Sequence, residues 1–159
     1  RSDNGLSDTN LTFKTASLWG AQYESKILKQ DHDIVFIDTP PKIESDARPA
    51  IEAANLVIIP VAPSPVDFWA TEGIIEIAKK AKRKILIQIN RANYRSKLIS
   101  KTHEYINSIK VKATDTLIGH RQIYVASMGE GKTVVEKQRK SKAVDEIKKI
   151  SEQILLELK

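Results

Sequence analysis

Three short, largely apolar runs, set apart by longer segments with helical spacing, constrain the fold of this chain more than any other feature. The runs cover residues 34–38, 56–61 and 84–90, and the first of them ends in an aspartate. Ile, Val and Leu without polar alternation are typical of strands buried on both faces, which occur in parallel sheets covered by helices. The sequence therefore predicts an α/β fold in which a mostly parallel sheet has helices on both faces.

Apolar residues at helical spacing predict five helices, over residues 17–30, 45–54, 68–82, 95–109 and 141–158. Asp67 is the expected N-cap of the third helix, and a weak further strand is expected near residues 114–118. Residues 1–16 are rich in polar and turn-forming residues and predict an irregular lead-in. At 159 residues the chain fits a single domain.

Composition excludes several classes of protein. The chain has no cysteine, so disulfides, thiolate metal sites and a cysteine nucleophile are excluded. Its longest apolar run, residues 55–63, is far shorter than the ~18 residues of a membrane span. The polar opening lacks the apolar segment of a secretory signal, and its first residue is Arg1 rather than Met. We therefore expect a cytoplasmic protein without membrane contact, present here as a processed product or a piece of a longer chain.

Charge is distributed unevenly along the chain, which carries 26 basic and 20 acidic residues. Residues 1–78 hold 6 basic and 12 acidic side chains, whereas residues 79–102 hold 9 basic and none that is acidic. This asymmetry is typical of a surface that binds a polyanion, although solvated lysine-rich helices would give the same pattern. The candidate contacts are Lys79, Lys80, Lys82, Arg83, Arg95, Lys97, Lys101, Lys137, Arg139 and Lys140.

Polar residues follow the predicted strands at the points where ligands bind parallel sheets. They are Asp38 with Thr39, Asn90 with Arg91, and the loop of residues 63–67. A carboxylate at a strand tip can hold a water of Mg²⁺ beside a nucleotide phosphate. A strand-end aspartate also serves as a turn or N-cap residue, and a phosphorylatable receiver aspartate is a further possibility, although no Lys-Pro follows the third strand.

Longer stretches of the sequence resemble one known family. DIVFIDTPP at 33–41 and ANLVIIPVAPSPVDFWAT at 54–71 closely resemble the ParA family of plasmid and chromosome partition ATPases. The resemblance continues in order through IQINR at 87–91, IGHR at 118–121, GKTVVE at 131–136 and KAVDEI at 142–147. The wider group includes MinD-like ATPases and cobyrinic acid diamide synthase-like proteins.

The resemblance implies a deviant Walker nucleotide-binding fold that uses ATP and Mg²⁺. Asp38 would be the catalytic Walker B acid, acting on the magnesium ion through water. Thr39, Pro40 and Pro41 would form the switch that senses the γ-phosphate. Asn90 would contact the adenine, with Arg91 beside it, although a strand-end asparagine can also be a turn residue. Arg121 matches an arginine of the family.

The resemblance also implies partners. In the family, ATP held between two subunits drives formation of a homodimer, which binds double-stranded DNA without sequence preference. A centromere-binding partner protein then stimulates hydrolysis, and the dimer associates with the bacterial nucleoid. The basic residues given above are the candidate DNA contacts of this chain.

The glycine-rich phosphate loop of the family, Lys-Gly-Gly-x-Gly-Lys-Ser/Thr, does not precede Asp38 in this sequence. It is expected upstream of Arg1 or absent, so the chain resembles the C-terminal two-thirds of the domain and is predicted to be inactive alone. The family's phosphate-loop strand lies beside the Walker B strand, so unpaired strand edges are also expected. An ATP-independent paralogue that acts as a DNA- or partner-binding scaffold is the alternative.

A Walker-like segment occurs later, as ASMGEGKT at 126–133. A working phosphate loop needs a buried strand leading in and a helix leading out. The residues before and after this segment fit that arrangement poorly, so we predict no phosphate role for Gly131, Lys132 and Thr133. A permuted nucleotide-binding protein that uses them is the remaining alternative.

Overall fold

The computed structural model describes residues 11–17, 19–39 and 44–159. Helices and strands alternate through most of this range, as the sequence predicts. Their order is α1 (Gly20–Asp31), α2 (Glu44–Ala53), β1 (Leu56–Val61), α3 (Pro65–Lys80), β2 (Lys84–Ile89), α4 (Leu98–Ser108), β3 (Lys112–Ala113), α5 (Gln122–Gly129), α6 (Val134–Lys137) and α7 (Lys142–Leu158). Residues 11–17 of the expected lead-in have no regular structure, and residues 1–10 lie outside the described range.

The sheet has three parallel strands in the order β1-β2-β3. β1 and β2 pair over six residues, from Leu56 opposite Lys84 to Val61 opposite Ile89. β3 is shorter than predicted and lies earlier, at 112–113 instead of 114–118. The amides of Thr114 and Ile118 donate to β2 at Ile87 and Ile89, both at 2.9 Å, so the residues between them bulge out of the ladder.

The predicted strand at residues 34–38 does not form, and this expectation was wrong. Ile34 is 40% exposed and Phe36 is 77% exposed, so the run is not buried on both faces. Strand geometry requires a neighbour that satisfies the backbone amides and carbonyls. Within the described ranges, no strand pairs with this run or with the outer edge of β1. The expected unpaired sheet edge is therefore present at β1.

The core lies against β2, in which Leu86, Ile87 and Ile89 are fully buried. The main cluster joins Ile87 and Ile89 to Phe68 of α3 and Ile106 of α4. α7 runs opposite to β2, because Glu157 near its end accepts from Lys84 at the start of β2, at 2.7 Å. The beginning of α7 therefore lies at the carboxyl edge of the sheet.

α3 begins earlier than predicted, and Ser64 rather than Asp67 is its N-cap. The Ser64 hydroxyl accepts from the Asp67 amide at 3.3 Å, and Pro65 occupies the first turn. Proline suits that position because its fixed φ is helical and its missing amide has no partner there. Asp67 falls in the first turn, where a negative charge faces the positive end of the helix dipole.

Candidate functional site

Two of the three predicted strand-end segments meet at the carboxyl edge of the sheet. The Asn90 amide donates to the carbonyl of Val61 at 2.7 Å, which joins the end of β2 to the end of β1. The loop after β1 then turns sharply, because the Ser64 amide donates to Ala62 at 2.7 Å. Asn90 and the loop of residues 63–67 are thus neighbours, as the parallel strands require.

The Asn90 side chain closes the turn that follows β2. Its Oδ1 accepts from the Arg91 amide at 2.8 Å. Arg91 is exposed and has a φ of 52°, in the left-handed region that few non-glycine residues adopt. The contact is the turn role that a strand-end asparagine can have, and it leaves the carboxamide nitrogen for another partner.

Asp38 and Thr39 are exposed and do not follow a strand. No hydrogen bond between described residues joins them to Asn90 or Arg91. Pro40 and Pro41, the rest of the predicted switch, lie outside the described residues. Among the described residues, no group of three His, Asp or Glu side chains is placed to hold a metal ion. Magnesium held by one carboxylate and nucleotide phosphates needs no such group, so a single exposed Asp38 fits that use.

A cleft of about 450 Å³ opens just beyond Asn90, and we call it the edge cleft. Residues 92–95 line one side and residues 119–121 line the other. The two sides are held together by a bridge between Ala92 and Gly119, with the Ala92 amide donating to Ile118 at 2.8 Å. A second cleft of about 480 Å³ shares Tyr94 and Arg121 as a common wall and extends along the first turns of α7.

Behind this wall lies the Glu146 network, formed by Tyr94, Gly119, Arg121, Tyr124 and Glu146. Glu146 is only 6% exposed. Its Oε1 accepts from the Tyr94 hydroxyl at 2.8 Å and from Arg121 Nη2 at 2.6 Å. Its Oε2 accepts from the Tyr124 hydroxyl at 2.8 Å and from the Gly119 amide at 3.2 Å. One carboxylate therefore joins α7 to three other segments.

The charges in this network stabilise one another. Burial alone would raise the pKa of Glu146, but the hydrogen bonds, above all that from Arg121, hold this pKa below its usual range. The Glu146 carboxylate in turn raises the pKa of Arg121 through their hydrogen bond. Burial and the nearby carboxylate raise the pKa values of Tyr94 and Tyr124. The Arg121 guanidinium also lies 5.7 Å from the centre of the Tyr94 ring, within cation–π range.

Sequence reasoning singled out Arg121 but missed Glu146, Tyr94 and Tyr124 as site residues. Glu146 is three residues after the buried Ala143 and four before the buried Ile150. An acid at that spacing falls on the apolar face of α7, where an ionised side chain needs partners. The position of Glu146 on this face was the sequence signal from which a buried, hydrogen-bonded acid could have been predicted.

The predicted basic strip is divided between the two ends of the sheet. Lys79, Lys80, Lys82 and Arg83, the amino-edge group, precede β2, whereas Arg95, Lys97 and Lys101, the carboxyl-edge group, follow it. A six-residue strand separates the groups by about 20 Å. A third set, Lys137, Arg139 and Lys140, precedes α7.

The groups also differ in how their charges are used. In the amino-edge group, Lys80 pairs with Glu76 at 2.7 Å, and Arg83 donates to the Glu52 carbonyl at 2.6 Å. Lys79 donates to the Ile109 carbonyl at 3.0 Å. The carboxyl-edge side chains are exposed, and among the described residues none of them forms an ion pair. Lys137 pairs with Glu130, whereas Arg139 and Lys140 are exposed.

The Walker-like segment at 126–133 lacks the geometry of a phosphate loop. A helix, α5, leads into it where a strand is needed. Thr133 caps α6: its hydroxyl accepts from the Glu136 amide at 3.3 Å, and its amide donates to the Glu136 carboxylate at 2.6 Å. This reciprocal capping box gives Thr133 a structural role. The prediction that the segment is not a phosphate loop agrees with the structure.

Comparison with solved structures identifies the class of fold. The crystal structure of the Pyrococcus furiosus cell division ATPase MinD matches with a TM-score of 0.74 at 23% identity, over 87% of this chain and 58% of that chain. Together with the parallel sheet, this match gives the chain the α/β fold of a P-loop NTPase. The predicted fold class is confirmed.

Comparison with protein families shows the family to which the chain belongs. A family model described as an AAA domain matches residues 7–92, more than half of the chain. The Maintenance of carboxysome distribution protein A of Halothiobacillus neapolitanus is 28% identical over 138 residues, which cover 82% of this chain and 63% of the relative. The chain belongs to this AAA domain family. The match to the carboxysome protein also confirms the ParA/MinD family resemblance that the sequence predicted.

The chain spans about three fifths of the length of the carboxysome protein and of MinD. Within the ranges that the structure describes, no helix has the length and apolar character required to cross a membrane.

Proposed function

We propose that this chain supplies the base-binding part of the ATP site in a ParA/MinD-like positioning ATPase. The observation that carries the proposal is Asn90, fixed where β1 and β2 end and directly followed by the edge cleft. This cleft of about 450 Å³ is open to solvent, so a base would lie against its surface. The carboxamide nitrogen of Asn90 has no hydrogen-bond partner among the described residues, so it can donate to the edge of an adenine.

The phosphate side of the site depends on residues beyond this edge. When bound, Mg²⁺ would neutralise charge on the phosphates, and Asp38 would hold one of its waters. Thr39 would lie near the terminal phosphate if residues 34–38 became a strand ending at this edge. No glycine-rich loop with lysine precedes Asp38 in the sequence, so we expect weak ATP binding by the chain alone.

ATP binding by calorimetry tests the base site. We expect Asn90→Ala to weaken binding about tenfold through loss of a hydrogen bond to the base. Asn107→Ala, an exposed asparagine at the end of α4, is the matched control and should bind as the original chain does. The same comparison is made after adding to the amino terminus a segment that carries the family's glycine-rich phosphate loop. Failure of both forms to bind ATP would refute the proposal.

We further propose that ATP binding drives homodimer formation and non-specific binding to double-stranded DNA, and that a partner protein stimulates hydrolysis. The exposed carboxyl-edge group and the basic residues before α7 support a DNA surface on the same side as the nucleotide. The amino-edge group is less suited, because most of its charges already bind carbonyls or Glu76.

Matched charge deletions separate the two surfaces. Replacing Arg95, Lys97 and Lys101 with Ala should weaken DNA binding. It should also reduce the slope of log affinity against log salt concentration by the amount expected for about three phosphate contacts. Replacing Lys79, Lys80 and Lys82 with Ala removes the same charge and should have a smaller effect. The opposite order would contradict the assignment. DNA binding that Mg-ATP leaves unchanged, in both the chain and the extended form, would favour the ATP-independent scaffold.

A further inference from the structure

Three separate segments of the chain converge on the buried carboxylate of Glu146 in α7. Tyr94 comes from the turn after β2, Gly119 and Arg121 come from the segment after β3, and Tyr124 comes from α5. The first two of these segments are the two sides of the edge cleft. The cleft beyond Asn90 is thus attached to α7 through one side chain.

In the described part of the chain, hydrogen bonds join the two sides of the edge cleft to each other and to α7. The sides contact each other, since the His120 amide donates to Ala92 at 3.0 Å. One side is also joined to β2, because the Ile118 amide donates to the Ile89 carbonyl at 2.9 Å, but these bonds do not reach α7. Glu146 fixes the pair against α7, because its two oxygens bind Tyr94 on one side and Gly119 on the other.

We propose that Glu146 is a positioning residue that holds the edge cleft in the shape required by a nucleotide base. The base itself rests on the proposed function, whereas the fixing of the two sides does not. A carboxylate suits the task because it only accepts hydrogen bonds, and the four groups that surround it all donate. A glutamine of the same shape would turn an amide towards donors and leave Arg121 without its charged partner.

Amide hydrogen exchange in the full 159-residue chain tests the positioning role. In Glu146→Gln, we expect exchange at Ala92, Gly119 and His120 to accelerate about tenfold or more, because these amides depend on the fixed loops. Amides of the β1–β2 ladder should keep their rates. Glu157→Gln is the matched control, since Glu157 pairs with Lys112 at the far end of α7. Uniform acceleration across the chain, or unchanged rates at the cleft, would overturn the proposal.

Titration of ATP into the same proteins, isotope-labelled for NMR, measures nucleotide binding at the edge cleft. We expect the edge-cleft amide signals to shift, and Glu146→Gln to raise the dissociation constant about tenfold while Glu157→Gln leaves it unchanged. Equal affinity of the Glu146 variant and the original chain would show that the network does not shape the base site. If ATP shifts no signal in either the original chain or the form extended with the glycine-rich loop, the proposed function fails, and the exchange rates alone decide the positioning role.

Discussion

The stability cost of removing Phe36 distinguishes the observed fold from the one that the apolar pattern predicts. In the structure Phe36 is 77% exposed, so Phe36→Ala removes few contacts and should cost about 1 kcal/mol at most. A phenylalanine in a strand buried on both faces would instead cost about 3–5 kcal/mol on the same substitution. The two outcomes differ by more than the error of an unfolding experiment.

Ile87→Ala supplies the internal standard for this measurement. Ile87 is fully buried at the centre of β2, packed in the main core cluster. Its substitution deletes three buried carbons, worth about 2.4 kcal/mol by transfer, and the residual cavity brings the expected loss to about 3–4 kcal/mol. In urea this loss corresponds to a midpoint lowered by about 1.5 M.

Far-UV circular dichroism is the suitable probe for this comparison. Trp19 and Trp69 are 79% and 67% exposed, so their fluorescence would report unfolding of the core poorly. The reasoning is refuted if Phe36→Ala lowers the urea midpoint as much as Ile87→Ala does, because residues 34–38 would then be packed.

Three further predictions concern the network, a helix cap and the Walker-like segment. Burial and Glu146 raise the pKa of Tyr124, so above about pH 10 the unfolded chain loses this proton before the folded chain does, and the free energy of unfolding falls. Tyr124→Phe should reduce that fall in urea unfolding measured between about pH 9 and pH 11. An unchanged dependence on pH would contradict this prediction. Ser64→Ala removes the N-cap of α3 and should cost about 1 kcal/mol by the same assay, whereas a neutral result would mean that Asp67 takes over. Lys132→Ala should leave ATP binding, measured by calorimetry, unchanged. Loss of binding would favour the alternative that the chain is a permuted nucleotide-binding protein.

The sequence predicted elements whose stability is local or comes from a neighbour within the chain. β1 and β2 were found at 56–61 and at 84–89, close to the predicted limits, because each is an apolar run with a partner beside it. α7 was also found, with Ser141 capping its first turn, since its apolar stripe is regular. The run at 34–38 has the same pattern but no partner among the described residues, and composition alone does not reveal that.

α5 escaped prediction because its apolar residues do not follow one face. Val125 is 76% exposed and Met128 is 60% exposed, although the helix packs Ser127 fully inside. The pattern therefore lacks the one-sided spacing by which a surface helix is recognised. At the site, the strand-end rule found Asn90 and the loop beside it. The spacing on α7 marks Glu146 as a buried acid, but its partners come from distant segments that this local pattern does not identify.

Pro60 determines how the open edge of β1 can be used. Val61 directs its carbonyl to β2, so the alternate residues of the strand, Ile58 and Pro60, direct their backbone outwards. Proline has no amide hydrogen, so the outer edge lacks a donor near its carboxyl end. An incoming strand could pair fully with the first half of β1 but would lose a hydrogen bond at Pro60. This interruption makes stacking of identical chains through that edge less favourable.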